Sequence, residues 1–184
     1  MKLNKQIILA LVIMIATSAL YRALPGRPYG FAPQIAIALF GGSLFVRQKQ
    51  YAFLLPIVSM FISDLLYQVL YTYHLTPIQG FYNGQILNYL LIAATTIFGF
   101  SLQSNKVSKY IVSFLSAPTA YFIASNFLVW AQGGGYHHGF TITGLVQTMV
   151  DGLPFYPYSV VGTIVFGGVL FGGFRLAVPK FKAI

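Results

Sequence analysis

Apolar positions in this chain fall into six long runs, separated by short stretches rich in polar residues, Gly and Pro. The runs predict helices at about 6–21, 31–46, 51–73, 84–103, 109–131 and 157–177. Stretches as long and as apolar as Ile7–Leu20 or Tyr110–Trp130 exceed ordinary strand length. The apolar–polar alternation of a membrane barrel is missing. The pattern therefore predicts an all-α fold. A bilayer core about 30 Å thick takes roughly 20 apolar residues per crossing. The 184 residues thus make a single transmembrane domain, 1–184: a polytopic helical bundle of about six spans.

Composition removes the soluble alternative. Only 7% of residues are charged, 57% are hydrophobic, and the acidic residues are Asp64 and Asp151 alone. A soluble domain carries about 25% charged residues. The absence of Cys excludes disulfides, thiolate metal sites and a Cys nucleophile. The net charge of +9 is not a nucleic-acid footprint, because the basic residues sit in small groups between apolar runs and form no stripe. They report orientation instead. With six crossings, Lys2, Lys5, Arg47, Lys49, Lys106, Lys109, Arg175, Lys180 and Lys182 share one side, and only Arg22 and Arg27 lie on the other. The positive-inside rule then places both termini in the cytoplasm. Met1–Lys5 with the apolar stretch up to Ala16-Thr17-Ser18-Ala19 also fits a cleaved signal peptide. Cleavage would leave five helices.

Orientation assigns a depth to each polar side chain. Asp64, Gln68 and Tyr71 recur at i, i+4 and i+7, on one face of the outer half of the third helix. Gln85, Asn88 and Tyr89 share a face near the outer end of the fourth, and Thr119, Phe122, Asn126 and Trp130 form a stripe on the fifth. Tyr156, Tyr158 and Ser159 open the sixth on the outside, and Gln34 stands near the outer start of the second. Unpaired amides and carboxylates are costly in hydrocarbon, so these groups should face one another or a water-filled cavity. Few polar groups on an aromatic lining make a small-molecule pocket. The bland readings are interfacial anchoring for Tyr and Trp, and helix–helix hydrogen bonding for Asn88, Asn126 and Asp64. Towards the cytoplasm, Gly41-Gly42, Gly99, Gly167-Gly168 and Gly172-Gly173 allow close helix approach, within the bundle or with another subunit.

The outer loops add less. Arg22 and Arg27 flank a Pro- and Gly-punctuated turn and could grip a carboxylate or phosphate, or bind lipid headgroups. Gly133-Gly134-Gly135 opens a longer loop in which 141–151 predicts a helix too short to cross, suited to capping a pocket or lying at the interface. His137-His138 lacks metal-ligand spacing, and His74 lies in a loop and not across the bundle core, so no metal and no other cofactor is expected. No GxSxG, paired-carboxylate or phosphate-loop motif occurs, and the chain is not expected to be an enzyme.

Several stretches carry a resemblance. Gly30-Phe31-Ala32-Pro33, Ala36–Gly42 and Pro56–Asp64 are similar to a group of small bacterial membrane proteins of unknown function. So are Ser125-Asn126-Phe127 with Val129-Trp130, and Gly152-Leu153-Pro154-Phe155 with Gly162. That group in turn resembles the substrate-binding S components of energy-coupling factor (ECF) vitamin transporters. The resemblance implies six helices with both ends inside a bacterial inner (cytoplasmic) membrane. It also implies an outward-facing site, and docking on a transmembrane coupling subunit with its ATPases. The expected function is capture of a small molecule, such as a vitamin or precursor, from the outer side. Arg22, Arg27, Gln34, Asp64, Gln68, Asn88, Asn126, Trp130 and Tyr158 are the candidate ligand-binding residues, and the partners are the lipid bilayer, the small molecule and that subunit. The alternative is an accessory subunit of a larger membrane complex with no ligand of its own.

Overall fold

The structure, a computed structural model, describes residues 5–23, 26, 28–103, 106–133 and 138–177. Lys2, Arg27, Gly134, Gly135, His137, Lys180 and Lys182 lie outside the described residues, as does the side chain of Arg22. No strand occurs among the described residues. The helices are α1 (Lys5–Ala23), α2 (Gln34–Leu44), α3 (Lys49–Thr72), α4 (Gln85–Gly99), α5 (Val107–Ala131), α6 (Ile142–Gly152) and α7 (Tyr156–Ala177). A 3-10 turn, Phe100–Gln103, extends α4, and another, Leu153–Phe155, joins α6 to α7. Each predicted run is a helix, and the short 141–151 segment is α6, capped by the Thr141 hydroxyl accepting from the Gly144 amide at 3.0 Å.

The packing inverts that of a soluble protein. Large apolar residues face outward, with Ile86 77% and Val112 63% exposed, while Ser59, Ser63, Thr96, Thr163 and Asp64 are buried. Among the described residues, four stretches are long and apolar enough to cross a membrane: Lys49–Thr72, Gln85–Gln103, Val107–Ala131 and Ile142–Ala177. Helices suit that setting because their backbone polar groups are satisfied within each segment.

α2 is the axis of the bundle. It packs against α3, α4 and α7, and every residue from Ile35 to Leu44 is buried. Its 11 residues span only about 16 Å, less than the predicted 31–46. Phe31–Pro33 approaches without helical structure, and the chain turns after Leu44. Such backbone is tolerated at membrane depth because protein surrounds it. Glycine permits the close crossing with α4. A Cβ on Gly42 would lie 2.4 Å from the Thr96 carbonyl oxygen, and one on Gly99 2.3 Å from that of Leu39. Beside this crossing Phe40 packs on Phe171 and Phe174, with ring centroids 5.2 and 5.4 Å apart. Phe53 at the start of α3 meets Phe100 after α4, and Arg175 of α7 donates to the Tyr110 hydroxyl of α5 at 2.9 Å. Lys49, Lys106, Lys109 and Arg175 therefore belong to one end, the end expected from the positive-inside rule to face the cytoplasm.

Candidate functional site

At the opposite end the helices splay around a cavity of about 340 Å³, within the usual range for small-molecule sites. Gln34 and Ile35 reach it from the first turn of α2, Asn88 and Ile92 from α4, and Tyr121, Phe122, Ser125 and Asn126 from two successive turns of α5. Gly152, Phe155, Tyr156 and Ser159 close it from the α6–α7 side, and Gly30 and Ala32 from the segment ahead of α2. Gly30 has φ +87°, a left-handed conformation that glycine adopts without penalty. A Cβ there would sit 2.5 Å from the Phe155 carbonyl oxygen, so this segment lies hard against the start of α7.

The polar groups of the cavity divide into committed and uncommitted ones. The Tyr121 hydroxyl donates to Asn88 Oδ1 at 2.7 Å, and Asn88 Nδ2 donates to the Tyr82 hydroxyl at 2.8 Å. The hydroxyls of Tyr156 and Thr119 share a bond of 2.8 Å. Asn126 Nδ2 donates to the Phe122 carbonyl at 2.8 Å, and its carboxamide fits because residue 152 is glycine: a Cβ there would be 2.4 Å from Asn126 Oδ1. Gln34 is different. Its Oε1 is buried and has no hydrogen-bond partner among the described residues. Among the described residues no charged side chain lines the cavity.

Asp64 and Gln68 build a second polar cluster, between α3 and the turn leading into α4. Asp64 is 2% exposed. Its Oδ2 accepts from Gln85 Nε2 at 2.6 Å and also from the Tyr89 hydroxyl. Gln85 Nε2 further contacts the Gly80 carbonyl at 3.1 Å and the Tyr89 hydroxyl at 2.8 Å. Gln68 Oε1 accepts from the amides of Gly80 and Phe81 at 3.1 and 3.3 Å. The cluster clamps the 80–84 turn onto α3, and that turn carries Tyr82, the acceptor of Asn88. Asp64 and Gln68 thus stand one hydrogen-bond chain away from the cavity and do not line it. Gln68 does line a larger recess of about 590 Å³ with Tyr71, His74 and Leu75. That recess is a surface feature among largely exposed turn residues, whereas the smaller cavity is walled by the spans themselves.

The remaining candidates lie elsewhere. Trp130 Nε1 donates to the Gly139 carbonyl at 3.2 Å and its ring packs on Phe127 and Phe140, tying the end of α5 to the approach to α6. His138 Nε2 and Asp151 Oδ2, 2.6 Å apart, fix α6 to the same approach. Tyr158 is 47% exposed on α7 and does not line the cavity. No cluster of three metal-ligating side chains occurs among the described residues.

The chain belongs to DUF6580, a family of unknown function. The family's model matches residues 1–184. No curated protein and no solved structure matches the chain. For this DUF6580 member the cavity's own chemistry carries the functional argument.

The cavity draws together Gln34, Asn88 and Asn126 of the residues expected from the sequence, and Tyr156 and Ser159 from the expected polar opening of the last helix. Tyr121, Ser125 and Gly152 were not expected. The face of α5 that meets the cavity is 121/122/125/126, rotated by part of a turn from the 119/122/126/130 stripe. The signal that finds it is the pair of i, i+4 matches, Tyr121 with Ser125 and Phe122 with Asn126.

Proposed function

We propose that this protein is a membrane-embedded solute-binding subunit, of the kind represented by ECF S components. It captures a small molecule from the outer side of a bacterial inner membrane and breaks no bond. The observation that carries this reading is the cavity itself: a hollow of about 340 Å³ at the end of the bundle away from the basic residues, lined by Tyr121, Phe122, Phe155 and Tyr156 with Asn88 and Asn126 among them. A few polar groups on an aromatic lining are what a small-molecule site needs. The test is purification in native lipid followed by mass spectrometry of released small molecules, from the wild-type chain and from Asn126→Leu. A compound stoichiometric with the wild-type protein and lost from the variant supports the reading. Equal yields from both, or no compound at all, refute it.

A second reading, an accessory subunit of a larger membrane complex, is favoured by α7. Cβ atoms on Gly168, Gly172 and Gly173 would meet nothing within 4 Å, so packing within the chain gives no reason for these glycines. A partner helix approaching closely would. Under the S-component reading the same face docks the coupling subunit, and the two readings separate on whether a small molecule is bound.

A further inference from the structure

At the basic end of the bundle α5 and α7 part to leave a groove of about 290 Å³. Its floor is glycine. A Cβ on Gly167 would lie 2.5 Å from the Phe114 ring, and Cβ atoms on Gly168 and Gly172 would meet nothing within 4 Å. Its walls are the rings of Tyr110, Phe114 and Phe171, packed on one another with centroids 5.9, 5.4 and 6.0 Å apart. From Gly167 to Arg175 the groove follows roughly 12 Å of α7 at about 1.5 Å per residue. A lining of this kind suits a hydrocarbon chain.

The mouth of the groove carries charge. Arg175 stands in the last turn of α7, with its guanidinium 5.6 Å from the centroid of the Tyr110 ring. It donates to the Tyr110 hydroxyl at 2.9 Å, and that hydroxyl donates onward to the Leu102 carbonyl at 3.3 Å. The phenol is thus oriented to accept, and being neutral it fixes the guanidinium without cancelling its charge. Lys106 and Lys109 flank Val107, another lining residue, at the start of α5. All three cations are exposed. The acidic side chains of the chain are Asp64 and Asp151. Asp64 braces the 80–84 turn and Asp151 pairs with His138, so neither is set against this basic cluster.

We propose that the groove holds an acyl chain of an anionic phospholipid, with the phosphate seated at Arg175 and the two lysines. Basic pockets between spans bind anionic headgroups, and a guanidinium grips phosphate oxygens with paired donors. The order of the site is that of a lipid, with the apolar groove deeper in the span and the cations at its end. A partner helix docked on Gly168 and Gly172 would take the same space. The lipid is therefore the occupant of the chain on its own, and such a helix is its competitor. The proposal does not depend on a solute in the cavity at the other end.

The test uses the full chain, purified in a neutral detergent and offered equal amounts of dioleoylphosphatidylglycerol and dioleoylphosphatidylcholine. The two lipids share their acyl chains and differ in net charge, and native mass spectrometry counts those retained. The wild-type chain should keep phosphatidylglycerol over phosphatidylcholine by at least about fivefold, the effect of one basic side chain near a membrane surface. Arg175→Gln should lower that ratio by about fivefold. Because Arg175 is exposed, this variant tests the headgroup contact without opening the core. Gly168→Leu with Gly172→Leu fills the groove and should lose retained lipid of both kinds. Equal retention of the two lipids by the wild-type chain, an unchanged ratio in Arg175→Gln, or full retention in the double leucine variant overturns the proposal. So does a purified chain that carries a partner helix in this groove and no lipid.

Discussion

Replacing Asp64 by Ala separates two roles for the buried carboxylate of α3. A carboxylate at membrane depth is usually functional, yet Asp64 does not line the cavity and instead accepts from Gln85 and Tyr89. Removing it does not orphan both donors. Gln85 keeps the Gly80 carbonyl at 3.1 Å and the Tyr89 hydroxyl at 2.8 Å. The Tyr89 proton loses its acceptor, which costs about 1–3 kcal/mol for a buried donor. Asp64→Asn retains an oxygen able to accept from both, and should cost under about 1 kcal/mol. The brace therefore predicts that Ala destabilises by about 2 kcal/mol, that Asn restores most of the loss, and that hydrogen exchange quickens at 80–84, the turn Asp64 helps to clamp. Detergent-denaturation midpoints and mass-resolved exchange measure the two effects. Solute affinity should fall only moderately, since the path from Asp64 to the cavity runs through Gln85, the turn, Tyr82 and Asn88. Should the Ala variant melt like wild type while losing all binding, Asp64 touches the solute and the brace argument is wrong.

Two other substitutions test the packing around the cavity. Gly42→Ala would place a methyl 2.4 Å from the Thr96 carbonyl; prising α2 from α4 should cost about 1–3 kcal/mol, read as a lowered denaturation midpoint. Gly30→Ala combines a φ of +87° with a Cβ 2.5 Å from the Phe155 carbonyl; it should cost at least about 1 kcal/mol and weaken solute binding, because Gly30 and Phe155 both line the cavity, and the yield of co-purified small molecule measures the second effect.

Helices were legible because each apolar run exceeds what a strand needs, and because Thr141 signals the start of α6. The shortness of α2 was not. Phe31 and Val46 are as apolar as the helix between them, and nothing in a hydropathy pattern tells a helix buried in protein from one facing lipid. Polar positions near the same ends of successive helices were legible, and Gln34, Asn88 and Asn126 do line one cavity. Neighbourhood was not. A helical stripe states which face a residue occupies, and Asp64 and Gln68 do share theirs. Only the fold reveals that the 80–84 turn folds back to satisfy them. Trp130 failed as a lining residue for a related reason: its nearest groups, Gly139 and Phe140, come from a loop whose course no periodicity specifies.

The two halves of the bundle now argue for a partner if the proposed solute is to move onward. The outer half is hollow, but the inner half is closed by the Gly42–Thr96 and Gly99–Leu39 contacts and by Phe40 packed on Phe171 and Phe174. A solute held in the cavity has no passage inward unless α2 and α4 separate. Among the described residues nothing outside the bundle is poised to drive that separation, while α7 presents Gly168 and Gly172, whose Cβ positions are empty. Glycine inside a helix is destabilising by about 0.5–1 kcal/mol relative to Ala, so Gly168→Ala should stabilise the isolated protein by about that amount. Gly168→Leu together with Gly172→Leu should leave solute affinity near wild type, since neither residue lines the cavity and a Cβ at either meets no atom within 4 Å. Solute uptake by whole cells should fall all the same, because a close-packed partner helix has no room for the added side chains. Uptake unchanged in that double variant would remove α7 as the docking face.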